Sequence, residues 1–474
     1  MEFREKETTQ ANERRQCWEC SRRRLTAGIT CPGYSQKKPL KWLPPGKVTS
    51  RTRRRRGRPT DKGDSNTSSS APTTVNPSLG TSEVEESSIK SLTCHTENGM
   101  KDVAAALSHV TFGTEACAFT QAILYSRYIP TGMKYTLVSM ALNHRIYHLL
   151  SRTSRSTLAE ALSNLYHYRG LAIRALGEDV GKEKTRSSDA TITSVLLFMV
   201  TDVRDSLSLN WRQHFIGAEK LISLRGGLEN LARVSPHMKP MLLYYMILGV
   251  IGNTTTPPSD QVATTSQLDL ANLASEMYGE GYLFPNLLCP PSLFLDILSI
   301  NHLRYQWKIA SLVNQFSQTA AEAVLQHVDA FSPEEWACSN TSSQEDWLLI
   351  GRIYQSAVAL YCISSLQSVS VLPFTSQLKA RRTAHGNRLF QLLKEALLSP
   401  KVNKCMMWPL IVAGAEAVNR GPAAREFVAD HLSEMSEDLG TPLPLHAKMV
   451  FKKFWPSGKT KWDDCFDTPY AFVP

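Results

Sequence analysis

From about Val110 to the C-terminus, apolar residues recur with the 3.6-residue period of a helix and almost never with the two-residue period of a strand. Ile192, Val195, Leu196, Met199 and Val200 hold an i, i+3, i+4, i+7, i+8 stripe. Leu158, Leu162, Leu165 and Tyr166 form a similar stripe earlier, and Leu389, Phe390, Leu393, Ala396 and Leu397 form one late, before Pro400 closes the helix. Roughly a dozen such segments follow one another. Pro130-Thr131-Gly132, Gly177 to Gly181, Gly226-Gly227, Thr256-Pro257-Pro258 and Pro290-Pro291 separate them. The longest apolar run, Met241 to Gly252, is about half of what a bilayer span needs and predicts a buried helix. The pattern predicts an all-α fold, with one large multi-helix domain over residues 110–474.

What precedes this body has other chemistry. Residues 1–60 hold 17 Lys/Arg and 5 Asp/Glu, while the rest of the chain holds 36 and 38. The whole net charge of +10 therefore comes from one short arm, as in a nucleic-acid-binding tail on a neutral body. No amphipathic apolar stripe accompanies that charge, which disfavours a membrane surface. Residues 60–109 are read as a linker. Their first part is rich in Ser and Thr, with acids at Glu83, Glu85 and Glu86, and has too little to bury to form a core. The charged start of the chain does not read as a secretory signal. Ten irregularly spaced cysteines fit free thiols in a reducing compartment. On that reading the Asn-x-Ser/Thr triplets at Asn66, Asn253 and Asn340 carry no glycan.

Within the arm, Arg51 to Arg58 places six arginines in eight positions and reads as a nuclear-localisation run. Arg56-Gly57-Arg58-Pro59 is also the core of an AT-hook-like element, whose arginines suit the negative potential of a narrow A·T minor groove. Upstream lie Cys17-Trp18-Glu19-Cys20, Arg22-Arg23-Arg24 and Cys31-Pro32-Gly33-Tyr34. These resemble the start and end of the six-cysteine binuclear zinc cluster of fungal transcription factors. The third, fourth and fifth cysteines of that pattern are missing. The family's spacing calls for roughly 23 residues between Cys20 and Cys31, and the chain has SRRRLTAGIT, ten. Ser21–Leu25 and Thr26–Thr30 each fill five of six expected places, so the break falls between Leu25 and Thr26, with about 13 residues gone.

The resemblance implies zinc as cofactor, with Cys17, Cys20 and Cys31 as surviving ligands. It implies Arg22, Arg23 and Arg24 as DNA-facing residues that read guanine-rich CGG-like triplets from the major groove. Two zinc ions sharing six thiolates reach four-coordination only through bridging sulfurs. Three thiolates half-satisfy one ion. The arm as written reads as a basic segment with free thiols, or as a single weaker zinc site completed by Cys94, His95, water or a second chain.

Two passages in the body extend the resemblance. Trp211-Arg212-Gln213-His214-Phe215 with Gly217-Ala218 and Leu224-Arg225-Gly226-Gly227 is similar to the fungal transcription-factor regulatory domain, and Trp408-Pro409-Leu410 with Ala413-Gly414 resembles a second block near that domain's end. From the residues alone, Gly226-Gly227 is a helix stop and His214 is a hydrogen-bonded packing residue. Other chemistry fails on inspection. Gly458-Lys459-Thr460 lacks the upstream glycine of a phosphate loop, where Lys453 stands. His144 and His148 share a helix face, but Arg145 stands where a hydrolytic zinc helix carries glutamate. No nucleophile elbow or dinucleotide loop is present, so the chain is not expected to be an enzyme.

The expectation is a fungal nuclear regulator of RNA polymerase II genes, with DNA as partner for its basic arm. A homodimer, other transcriptional regulators and a small-molecule effector stay open as partners of the body. The alternative is a regulator without sequence-specific DNA binding that acts through its helical domain alone.

Overall fold

The computed structural model describes residues 130–149, 155–205, 211–262, 272–274, 276, 288–309, 315–340 and 343–473. The described residues are helical, with no strand among them. In chain order the first helices are α1 (Thr131–Leu149), α2 (Arg155–Gly181), α3 (Asp189–Asp205), α4 (Trp211–Ser223), α5 (Leu228–Val234) and α6 (Lys239–Thr254). Next come α7 (Pro291–Ile309), α8 (Gln315–Ala330), α9 (Pro333–Cys338), α10 (Gln344–Ser368) and α11 (Ser376–Ala396). The last are α12 (Met407–Glu416), α13 (Pro422–Leu439), α14 (Leu443–Phe454) and α15 (Trp462–Cys465). The all-α reading of the sequence holds. Prolines open α6, α7, α9, α13 and α14 at their first turns, where a missing N–H costs nothing.

Helix α10 is the axis of the body. It is buried without interruption from Ile350 to Gln367, apart from no position on its circumference. A helix apolar all round belongs at the centre of a large core. It packs against α7, α8, α9, α11, α12 and α15. By length and composition α10 could cross a membrane, but 83% of its most apolar stretch is buried inside the fold. Glu345 and Asp346 sit in its first turn, where they complement the helix dipole. The run Met241–Gly252 lies within α6 and is wholly buried, as expected. One connected apolar core joins residues from Met133 to Val473.

The predicted stripes on α3 and α11 face this core, with Val195 and Leu397 at its edge. Helix α2 departs from its reading. Its inward face is Leu165, Tyr168, Ala172 and Leu176, and Tyr166 lies outside it. The helix also runs through Gly177 to Gly181. An isolated glycine weakens a helix by about 1 kcal/mol without ending it.

Candidate functional site

The first motif block builds a hinge of polar contacts around α3, α4 and α5. Trp211 opens α4, and its Nε1 donates to the carbonyl of Pro469 at 2.9 Å. Phe215, one turn on, stacks on Tyr245 at 4.3 Å between ring centres. His214 points to the other side, its Nε2 3.5 Å from Asp202 Oδ2 and its ring edge-on to Phe198. Arg169 from α2 pairs with Asp202 Oδ1. Burial pushes the Asp202 carboxyl up, against the pull of Arg169 and His214. His214 is a packing residue in an ion-paired cluster, as its sequence context indicates.

Arg225 then ties the turn to two helices. Its Nη1 donates to Asp189 Oδ1 at 2.5 Å and to the Ser187 carbonyl at 2.8 Å, while Ser235 Oγ donates to Asp189 Oδ2 at 2.7 Å. Burial alone would raise the Asp189 carboxyl, and these donors hold it below the ordinary value. Gly226 and Gly227 have φ of 83° and 92°. The Gly227 N–H returns to the Ile222 carbonyl at 3.1 Å. Two successive left-handed residues explain why both positions are glycine.

The second block lies at the buried centre. Trp408 Nε1 donates to Thr254 Oγ1 at 3.1 Å. Gly414 faces Phe451 of α14 so closely that a methyl group there would sit under 3.0 Å from three ring atoms. Trp455 Nε1 donates to the Gly414 carbonyl at 2.9 Å. Beside Trp408 is the fully buried Arg304. Its Nη1 donates to the carbonyls of Asn253 (3.0 Å) and Thr254 (3.3 Å) and to Tyr361 Oη (3.0 Å). Its Nη2 donates to the Thr256 carbonyl (3.1 Å) and to Asp463 Oδ1 (2.6 Å). The guanidinium thus caps the negative end of α6 and pins the C-terminal segment to it. Burial works against the charge, and Tyr361 and Asp463 keep the Arg304 pKa raised. Burial pushes the Tyr361 phenol up to about 12, so it stays a donor, to Asn301 Oδ1 at 2.5 Å. The C-terminal segment adds Trp462 Nε1 to the Thr254 carbonyl (2.8 Å) and Thr255 Oγ1 to the Tyr470 carbonyl (3.0 Å). Both motif blocks therefore meet the end of α6 and the tail. The sequence reading missed Arg304 and Asp463. The one available signal was a lone arginine inside the apolar pattern of Pro291–Ile309.

Residues 91–452 match the fungal-specific transcription factor domain. The chain belongs to that family. It is also 35% identical over 482 residues to the phomenoic acid biosynthesis cluster-specific transcriptional regulator of Leptosphaeria maculans, across 98% of this chain and 90% of that relative. No solved structure matches the chain.

In this member of the fungal-specific transcription factor family, Cys17, Cys20, Cys31, Arg22, Arg23, Arg24, Arg56 and Arg58 lie outside the described residues. Among the described residues, no three His, Cys, Asp or Glu side chains stand together as a metal site. Cys289, Cys362, Cys405 and Cys465 are free and buried, and burial raises each thiol, that of Cys405 to about 12. Gly458 turns the chain at φ 73°, and Lys459 pairs with Asp464 at 3.5 Å, so this Gly-Lys-Thr is a turn rather than a phosphate cradle. His144 lines a void of about 20 Å³ with Met140, Asn143, Thr201, Arg204, Gly440 and Thr441. That volume holds one water, not an effector. The His148 side chain lies outside the described residues.

Proposed function

We propose that this chain is a nuclear, DNA-binding regulator of RNA polymerase II transcription. Residues 1–59 form the DNA-reading arm, 60–109 the linker and 110–474 the regulatory body. The observation that carries the reading is the joint coverage of body and arm. The family match takes the body, and the alignment to the Leptosphaeria regulator leaves only about 2% of this chain outside, so it takes in most of the basic arm. The name of that relative ties it to one biosynthetic gene cluster, and we propose the same scope here: a small set of biosynthetic genes.

Three thiolates do not fit two zinc ions, so no step is assigned to metal on the arm as written. We infer that the natural transcript carries the missing segment. The alignment runs over 482 positions, whereas 98% of 474 residues is about 465. The relative therefore has some 17 positions without a counterpart here, room enough for the 13 that the cysteine spacing requires. Zinc bound to a complete cluster would supply the arm's fold. Arg22, Arg23 and Arg24 would then reach guanine O6 and N7 in the major groove, and Arg56 and Arg58 would lie in an adjacent A·T minor groove.

Reading the transcript across Leu25–Thr26 tests this. The expected result is about 13 added codons with three cysteines, the first one place after Leu25 and the last one place before Thr26. An unbroken transcript would favour the second reading, a regulator that works through its helical body as a competing partner. The three-thiolate arm itself is the observation behind that reading.

A further inference from the structure

We propose that the outer face of α2 is a contact between two copies of this chain, packed antiparallel. At 27 residues α2 is the longest helix described. Its inward side is occupied by Leu165, Tyr168, Ala172 and Leu176. On the opposite side Tyr166, Ile173 and Val180 are 45%, 53% and 38% exposed. These three stand seven residues apart, so they line one seam of the helix. Gly170 and Gly177 lie between them on the same seam, and a side chain built at either would meet nothing within 4 Å. Large and small residues therefore alternate along an accessible apolar face.

That alternation is self-complementary, and this is what selects a second copy as the occupant. With the two-fold axis between positions 171 and 172, Ile173 lies over Gly170 of the second helix. Tyr166 then lies over Gly177, and Val180 over Ser163. Each exposed apolar side chain meets a notch, and the symmetry operation repeats every contact, as an isologous interface requires. Charge selects the direction. Glu178, Asp179 and Glu183 cluster at the C-terminal end, whereas Ser163, Asn164 and His167 occupy the N-terminal half of the face. Parallel packing would set acid against acid. Antiparallel packing sets Asp179 over Asn164 and also opposes the two helix dipoles. The seam from Tyr166 to Val180 is about 21 Å long. One helix face of that length buries on the order of 400 Å² per copy, about half of what a stable interface needs. The contact is a weak, concentration-dependent dimer.

The test is sedimentation of the full chain from about 1 to 200 μM, a range set for an interface below standard size. A monomer–dimer equilibrium is expected. Gly170→Leu and Gly177→Leu fill the notches from the open side, so the monomer should keep its helicity and melt no earlier, while dimerisation weakens at least tenfold. Mixing Gly170→Cys protein with Ile173→Cys protein under mild oxidation should give a cross-linked dimer that neither gives alone. A chain that stays monomeric throughout overturns the proposal, as does a dimer indifferent to both leucine variants. Leucine variants that lose helicity or melting temperature would show that another part of the same chain covers this face, which also overturns it.

Discussion

Replacing Asp463 by Ala leaves the Arg304 guanidinium buried without its only carboxylate partner among the described residues. Nη2 then keeps a single acceptor, the Thr256 carbonyl, and the charge sits where water does not reach. Removing one partner of a fully buried pair costs about 3–5 kcal/mol. The Asp463 side chain is 23% exposed, which moves the expectation to the low end, about 2–3 kcal/mol. The backbone contact survives, because the Asp463 N–H still donates to Ser368 Oγ. Chemical denaturation followed by circular dichroism measures the loss directly. The double variant Arg304→Met with Asp463→Leu should recover most of it, since an apolar pair of similar volume removes the stranded charge. A loss below about 0.5 kcal/mol for Asp463→Ala, the size of an ordinary surface change, would refute the claim that this pair fastens the tail to α6.

Gly414→Ala should destabilise the body by about 1–3 kcal/mol through overpacking against Phe451, with partial rescue by Phe451→Leu in thermal melts. The Asp296 carboxyl, pushed up to about 6 by burial and drawn back by the 2.9 Å contact to His327, binds its proton more tightly folded than unfolded. Its stabilising share is therefore complete below about pH 4 and lost as pH rises through about 6. Relative to Asp296→Asn, the parent protein should lose melting temperature between pH 4 and 7, and a gain over that range would contradict the assignment. The arm as written should bind DNA with a steep salt dependence, each neutralised phosphate adding a slope of about −0.9 in log affinity against log salt. Arg56→Ala with Arg58→Ala should erase a preference for A·T tracts in competition binding, and equal affinity for all sequences beforehand would leave only an import signal.

The period-3.6 stripes of α3 and α11 were legible because burial of one helix face writes itself into local spacing. The double glycine after Arg225 was legible too, since only glycine tolerates two left-handed residues in succession. The α2 seam was harder to read. Tyr166 is apolar enough to count as core, yet the true inward set runs through Leu165, Tyr168, Ala172 and Leu176. The node at Arg304 left no local trace, because its acid partner stands 159 positions away and its other acceptors are main-chain carbonyls. Gly414 is likewise explained only by Phe451, a residue of a different helix. Contacts set by tertiary packing at such separations leave no periodic signal. The zinc and DNA residues of the arm were read from motif spacing alone, and they lie outside the described residues.

The central claim is that the protein reads DNA sequence through its N-terminal arm. The direct measurement is selection from a random duplex pool by the full-length protein translated from the natural transcript, with and without chelator. The account predicts enrichment of CGG-containing sites that vanishes on chelation and in Cys17→Ala. Recovery of an unenriched pool from protein that is folded by circular dichroism would contradict it, and would leave regulation to the helical body alone.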